Sequence, residues 1–202
     1  CIDTVTPEVF FVSSRFKDKL AKIDCGNKIT ISIETCLPRA AGSQRDGGPC
    51  CDDPEMGLLL LNTSGTTGWP KSALISHRAE IARMTILRMD LGVEPGDAFL
   101  AWAPMFHMGG TEHTLSSLMM GSCVIITDGL DLDAMLDAIQ NYQLGWLILM
   151  PATIEPILQR LKETKTPVHG VRVVGSMPDM VPAALIAETT TLFNAPYANT
   201  FG

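Results

Sequence analysis

Short runs of aliphatic and β-branched residues alternate along this chain with stretches whose apolar positions recur every three or four residues. That alternation predicts an α/β fold of layered sheet and helices. Val9–Val12 reads as a strand, residues 15–22 as a charged helix and 28–33 as a second strand. The run 58–61 predicts a further strand. Ser76 precedes a helical stretch over 77–91, where its hydroxyl can cap the first turn, with Glu80 complementing the dipole and His77 in a structural place at the helix start. Pro95-Gly96-Asp97 predicts a turn into a strand over 98–102. Leu132, Met135, Leu136 and Ile139 stand at i, i+3, i+4 and i+7, so a helix over 131–141 carries one apolar stripe for docking on a sheet. A buried strand over 147–150 then leads to Pro151, well placed in the first turn of a helix through about 163, and 171–174 reads as another strand. Residues 35–56, with Pro38, Gly42, Gly47-Gly48-Pro49 and Asp52-Asp53-Pro54, predict an exposed, mobile loop, the nearest thing to an internal boundary.

Composition sharpens this picture. Charged residues make up 18% of the 202 residues, below the ~25% of ordinary globular chains, so much of the chain is expected to be buried. A net charge of −7 argues against a nucleic-acid or anionic-membrane surface, both of which reward clustered Lys and Arg. No apolar run approaches the roughly 18 residues needed to span a bilayer. The six cysteines, at 1, 25, 36, 50, 51 and 123, form no C-x-x-C pair, which suits reduced thiols and a cytoplasmic setting.

The chemistry is concentrated at residues 60–71, where an apolar strand runs into Thr63-Ser64-Gly65-Thr66-Thr67-Gly68-Trp69-Pro70-Lys71. Glycines let backbone N–H groups approach an anion, hydroxyls add donors, and Lys71 brings a mobile positive charge. This is the make-up of a phosphate cradle, and it points to ATP. A Walker loop is excluded at Pro70, because that motif needs glycine before its lysine and proline has no N–H to offer. Downstream lie three further segments: Ala103-Pro104-Met105-Phe106-His107-Met108-Gly109-Gly110, Val173-Val174-Gly175-Ser176-Met177-Pro178 and Asn199-Thr200-Phe201-Gly202.

Residues 63–71 match the T-S-G-T-T-G-x-P-K-G loop of the adenylate-forming superfamily throughout, departing at Ser72, where glycine is usual. The three downstream segments follow in the order that family requires, and the chain resembles an acyl-CoA synthetase within it. The resemblance implies that Thr63, Ser64, Gly65, Thr66, Thr67, Gly68 and Lys71 hold the phosphates of ATP. By the same resemblance, His107 of the P-x-F-H-x-x-G segment lies between an acyl pocket and the thiol entry path. Lys71 and His107 are thus the candidate catalytic residues. Gly175, Ser176 and Met177, in place of the usual G-G-A, would border adenine together with Asn199, Phe201 and Gly202. Met105, Met108, Met177 and Met180 stand beside these segments, where flexible thioethers suit either an adaptable apolar pocket or ordinary core filling.

The implied activity is ATP-dependent conversion of a carboxylate to acyl-AMP, followed by thioester formation with coenzyme A. Trp102, Phe106 and Val173-Val174 favour a fatty, branched or aromatic acid. The carboxylate that the family uses for Mg²⁺ follows the segment at 199–202, and the chain is expected to be a partial, by itself inactive, AMP-binding domain without the family's C-terminal domain. Alternatives are an adenylation domain loading a carrier protein, a luciferase-like oxidase, and a non-catalytic nucleotide-binding module.

Overall fold

The computed structural model describes residues 6–24, 26, 28–40, 52–63, 71–176 and 180–200. Two compact units divide the chain, residues 1–74 and 75–202.

In the first unit, β1 (Val9–Val12) pairs in parallel with β2 (Ile29–Ser32), Val9 opposite Ile29 and Val12 opposite Ser32. Their connection is not the single helix expected over 15–22. It is a 3₁₀ turn (Ser14–Phe16) followed by one turn of helix, α1 (Lys17–Leu20). Phe16 interrupts the helix with a non-helical ψ of 7°, and the charged residues around it provide no apolar stripe to hold a longer one. A second difference lies at α2 (Ile33–Ala40), which begins directly after β2 where the sequence predicted a strand end and then a loop from 35. The reason is local. Glu34, in the first turn of α2, accepts hydrogen bonds from Ser13 Oγ (2.7 Å), Ser14 N (2.8 Å) and Ser32 Oγ (2.7 Å). The remainder of that expected loop, residues 41–51, lies outside the described residues, and 52–56 lead as coil and turn into the next strand.

The hydrogen bonds from Ser13 and Ser32 hold the Glu34 carboxyl at a pKa of about 2, well below its ordinary 4.5. A depressed carboxylate stabilises the fold fully above its unfolded value and loses that contribution as pH falls through the folded one. Urea midpoints of the wild type and Glu34→Gln are therefore expected to differ slightly at pH 6 and to converge as pH approaches 2. A difference that persists unchanged at pH 2 would show that the carboxylate's charge is irrelevant there.

β3 (Gly57–Thr63) pairs with β4 (Lys71–Ser76), a strand the sequence pattern did not reveal. Ser72 Oγ donates to Asn62 Oδ1 across the pair at 2.7 Å, and Leu74 lies over the α-carbon of Gly57.

The second unit opens with α3 (His77–Leu91), whose N-cap Ser76 accepts from Ala79 N at 3.3 Å as expected, and whose end is set by Gly92 at φ +65°. Then follow β5 (Ala98–Ala101), α4 (Met108–Met119), β6 (Val124–Ile126), α5 (Leu132–Asn141), β7 (Gln143–Ile148), α6 (Pro151–Thr164), β8 (Gly170–Ser176), α7 (Ala183–Phe193) and β9 (Tyr197–Asn199). The five strands form one parallel sheet in the order β6-β5-β7-β8-β9. β5 has its successor β6 on one side and β7 on the other, so strand order reverses between β5 and β7. In such sheets ligands bind beyond the carboxyl ends of the strands at the reversal.

Two layers flank the sheet. On one face Met135, Leu136 and Ile139 of α5 and Ile154, Ile157, Leu158 and Leu161 of α6 pack with Leu100, Leu144, Leu147 and Val174 in a continuous buried core. The alternate positions of the sheet turn to α4, where Phe99 and Trp146 meet His113. At the amino edge of the sheet, buried Asp97 accepts from Glu94 N at 2.7 Å and pairs with Arg172 Nε, tying the starts of β5 and β8 together. That edge is built for stability and leaves the carboxyl edge for chemistry. Among the described residues, no helix is long and apolar enough to cross a membrane.

Candidate active site

The carboxyl edge of the second unit's sheet is assembled from three connections. After β5, Trp102 Nε1 donates to Ile148 O at 2.8 Å, which fastens the exit of β5 to that of β7. Pro104 O then accepts from His107 N at 2.9 Å, turning the chain so that His107 becomes the N-cap of α4. Its Nδ1 accepts from Gly109 N at 3.1 Å. With Nδ1 occupied as an acceptor, the neutral imidazole carries its proton on Nε2, away from the helix. His107 itself is exposed.

This turn is welded to the helix it starts. A Cβ on Gly110 would lie 2.6 Å from Pro104 O and 2.7 Å from Ala103 O, so the backbone approaches where no other residue fits. Thr111 Oγ1 donates to Met105 O, and Thr114 Oγ1 reaches Met105 Sδ at 3.8 Å. The position of His107 is therefore a property of α4 as a body. Met105, Phe106, Met108 and Met180 are 50%, 79%, 48% and 71% exposed and so lie outside the core of this unit.

The second connection follows β8. Gly175 carries the indole of Trp146 over its α-carbon, since a Cβ there would stand 2.9 Å from Trp146 Nε1 and 3.0 Å from Thr200 Cγ2. Gly175 O already accepts from Leu149 N at 2.8 Å, and Ser176 O from Thr200 N at 3.0 Å. Ser176 pairs in register with Asn199 of β9, the third connection, so the sheet brings together Gly175, Ser176 and exposed Asn199. The Ser176 side chain is buried, and among the described residues its Oγ and Trp146 Nε1 have no hydrogen-bond partner. Unpartnered buried polar atoms at this edge are compatible with a polar ligand such as a nucleotide.

Lys71 belongs to the first unit, as the exposed first residue of β4, and Thr63 is the last of β3. The phosphate-loop run therefore lies between two paired strands. Ser64, Gly65, Thr66, Thr67 and Gly68 lie outside the described residues, as do Met177, Phe201 and Gly202. Of the described His, Cys, Asp and Glu residues, no group is arranged to hold a metal ion.

Sequence reasoning missed the wall behind this edge. His113 stacks on Trp146 with ring centroids 5.4 Å apart and 20° between planes, and meets Phe99 at 5.4 Å and 48°. Burial pushes the His113 pKa down, which keeps the ring neutral. Beneath it a cavity of about 10 Å³, lined by Phe99, Ser116, Gly145 and Trp146 among others, has room for one water molecule.

Comparison with known proteins bears on the family and the fold. The family model for AMP-binding enzymes matches residues 1–202. Indoleacetate–CoA ligase of Aromatoleum aromaticum is 32% identical over 200 residues, covering 90% of this chain and 38% of that protein. The 2-succinylbenzoate–CoA ligase of Arabidopsis thaliana is 28% identical over 138 residues, 67% of this chain and 25% of that protein. The chain thus spans well under half the length of these relatives. In fold, it matches the N-terminal domain of FACL13 from Mycobacterium tuberculosis with a TM-score of 0.83 at 18% identity, over 100% of this chain and 52% of that one. ATP-bound MatB from Rhodopseudomonas palustris matches with a TM-score of 0.72 at 22% identity, over 98% and 41%. With a family model matched from end to end, a relative above 30% identity and a shared α/β fold, this chain belongs to the AMP-binding enzyme family.

Proposed function

We propose that this chain carries the nucleotide-handling and acyl-gating part of an acid–thiol ligase. Such a protein activates a carboxylate with ATP and passes the acyl group to coenzyme A. The observation that carries this reading is the unbroken run from Thr63 to Lys71 set between paired strands β3 and β4.

A carboxylate resists attack by a thiol because it is negatively charged and has no good leaving group. Attack by its oxygen on the α-phosphate of ATP expels pyrophosphate and leaves an acyl-AMP, whose carbonyl a thiol can attack with AMP departing. Preorganised donors that neutralise charge developing on the phosphates supply much of the acceleration. In this reading Ser64, Thr66, Thr67 and Lys71 hold the phosphates, with the backbone of Thr63, Gly65 and Gly68 closing the cradle. Gly175, Ser176, Met177, Asn199, Phe201 and Gly202 border adenine, and His107 gates the passage between acyl group and thiol. Mg²⁺ belongs to the proposed chemistry, but the described residues contain no ligand set for it, and no step here depends on one.

An aryl acid is the substrate class best supported. Two relatives are named for indoleacetate and 2-succinylbenzoate, and the exposed Phe106 and methionines offer apolar surface next to His107. The cavity under His113 is too small to hold such an acid, so the acid lies outside it. A cytoplasmic place in carboxylic-acid metabolism, fatty acids included, fits the same reading. The test is product analysis with the longest natural form of this chain, ATP, and a panel of aryl, fatty and amino acids offered coenzyme A or a pantetheinylated carrier protein. An aryl-CoA thioester with AMP is the expected product. A thioester formed only on the carrier protein would replace coenzyme A in this scheme.

A further inference from the structure

α3 and α4 meet through a polar joint: the buried residues of α4 are Gly110, Thr111, Glu112, Thr114, Ser116 and Ser117, and those of α3 are Glu80 and Leu87. Glu112 of α4 is 4% exposed and pairs with Nε of the half-exposed Arg83 of α3. One turn earlier on α3, Glu80 is 2% exposed, and Ser116, one turn after Glu112, is 1% exposed. Neither Glu80 Oε1 nor Ser116 Oγ finds a hydrogen-bond partner among the described residues. Glu112 thus makes the ion pair with Arg83, while buried Glu80 lies close enough to feel the charge of both. This is a costly arrangement for a region that needs only to pack.

We propose that Glu80 and Arg83 are positioning residues: from α3 Arg83 clamps α4 by way of Glu112, buried Glu80 sets the charge facing that pair, and the clamp fixes where His107 stands at the start of α4. The link from joint to imidazole is rigid. Glu112 follows Gly110 and Thr111, the two residues that weld the turn at 103–107 to the helix. A movement of α4 against α3 therefore carries His107 with it. The clamp is also sensitive to protons. Burial, and then the charge of Glu112, raise the pKa of Glu80, while Arg83 and Ser116 oppose the shift. His113, next to Glu112 and coupled to it and to Arg83, stays neutral through burial. A protonated Glu80 can donate to Ser116. Once ionised, it adds a second buried negative charge beside Glu112, so the joint weakens as pH rises through the folded value.

The proposal rests on the reading that His107 acts in thioester formation, and the test separates the two. In the longest natural form of the chain, acyl transfer from acyl-AMP to coenzyme A is measured against pH, alongside acid-dependent pyrophosphate exchange and the His107 imidazole NMR signals. Arg83→Ala is expected to slow acyl transfer about 10- to 100-fold, the scale of a misplaced group, with Arg83→Lys restoring part of it and pyrophosphate exchange little altered. Glu80→Gln is expected to keep the rate found at the low end of the pH range and to lose the fall with rising pH expected of the wild type. The His107 signals should follow that fall in the wild type and stay still in Glu80→Gln. Superimposable pH profiles and unmoved His107 signals would overturn the clamp, and Glu80→Gln alone is enough to do so even if Arg83→Ala does not fold. If His107→Ala transfers acyl groups normally, the gating role fails instead, and the NMR signals alone decide the clamp.

Discussion

Gly110→Ala is expected to cost about 3 kcal/mol of stability, the upper range for forcing volume into a packed site. In the longest natural form, acyl transfer to coenzyme A should fall about 100-fold. The added methyl meets two backbone carbonyl oxygens, of Pro104 and Ala103, at 2.6 and 2.7 Å. Backbone cannot rotate away as a side-chain tip can, so either the turn at 103–107 lifts from α4 or the first turn of α4 unwinds. Both displace His107, which shares that turn. The neighbouring glycine is the control: a Cβ on Gly109 would meet the ring of His107 at 3.3 Å, and the N–H that caps the helix is kept. Gly109→Ala is expected to be near neutral or to gain up to about 1 kcal/mol from helix propensity. Urea unfolding and single-turnover acyl transfer check both variants. Equal behaviour of the two alanines would show that the turn is not wedged at Gly110.

Lys71→Ala is expected to lower acid-dependent pyrophosphate exchange by about 10²- to 10³-fold, the usual loss when one preorganised group facing developing charge is removed. Stability should hardly change, because Lys71 is exposed at the first position of β4. Lys71→Arg keeps the charge but replaces a compact ammonium on a flexible stem by a planar fork, and only partial recovery is expected. Exchange kinetics at saturating and at limiting ATP distinguish a lysine that binds ATP from one that acts on the transition state. A loss confined to limiting ATP would reduce Lys71 to a binding residue. Unchanged exchange at both would remove it from the site.

Much of the second unit was legible in the sequence, because its elements carry strong local signals. Ser76 before the helical stretch at 77–91, the four-residue stripe on α5 and Pro151 at the start of α6 all state their structure within one or two turns. The first strand, β1, coincides with its expected bounds. Elsewhere tertiary context decides. The first turn of α4 contains Gly109 and Gly110, poor helix formers, Gly110 being there for close approach to the preceding turn, so propensity hid the helix. β6 and β9 have three residues each and hold their place by pairing with β5 and β8. α2 begins at Ile33 because Glu34 gathers hydroxyls from Ser13 and Ser32, distant in sequence or outside the helix, while Pro38 argued for a loop. The site divides in the same way. His107, Gly175, Ser176 and Asn199, which the motifs singled out, all lie at the carboxyl edge of the sheet, because such motifs report backbone geometry. The stack of His113 on Trp146 and the Glu80, Arg83 and Glu112 joint depend on which helix faces reach each other, and no local pattern encodes that.

Pyrophosphate–ATP exchange in the absence of coenzyme A tests the central claim most directly, because it isolates formation of acyl-AMP from everything after it. With the longest natural form of this chain and a panel of aryl, fatty and amino acids, labelled pyrophosphate is expected to enter ATP only when an aryl or similar apolar acid is present, and to do so poorly in Lys71→Ala. A folded protein that binds ATP yet exchanges no pyrophosphate with any acid would contradict carboxylate activation and leave a nucleotide-binding module in its place.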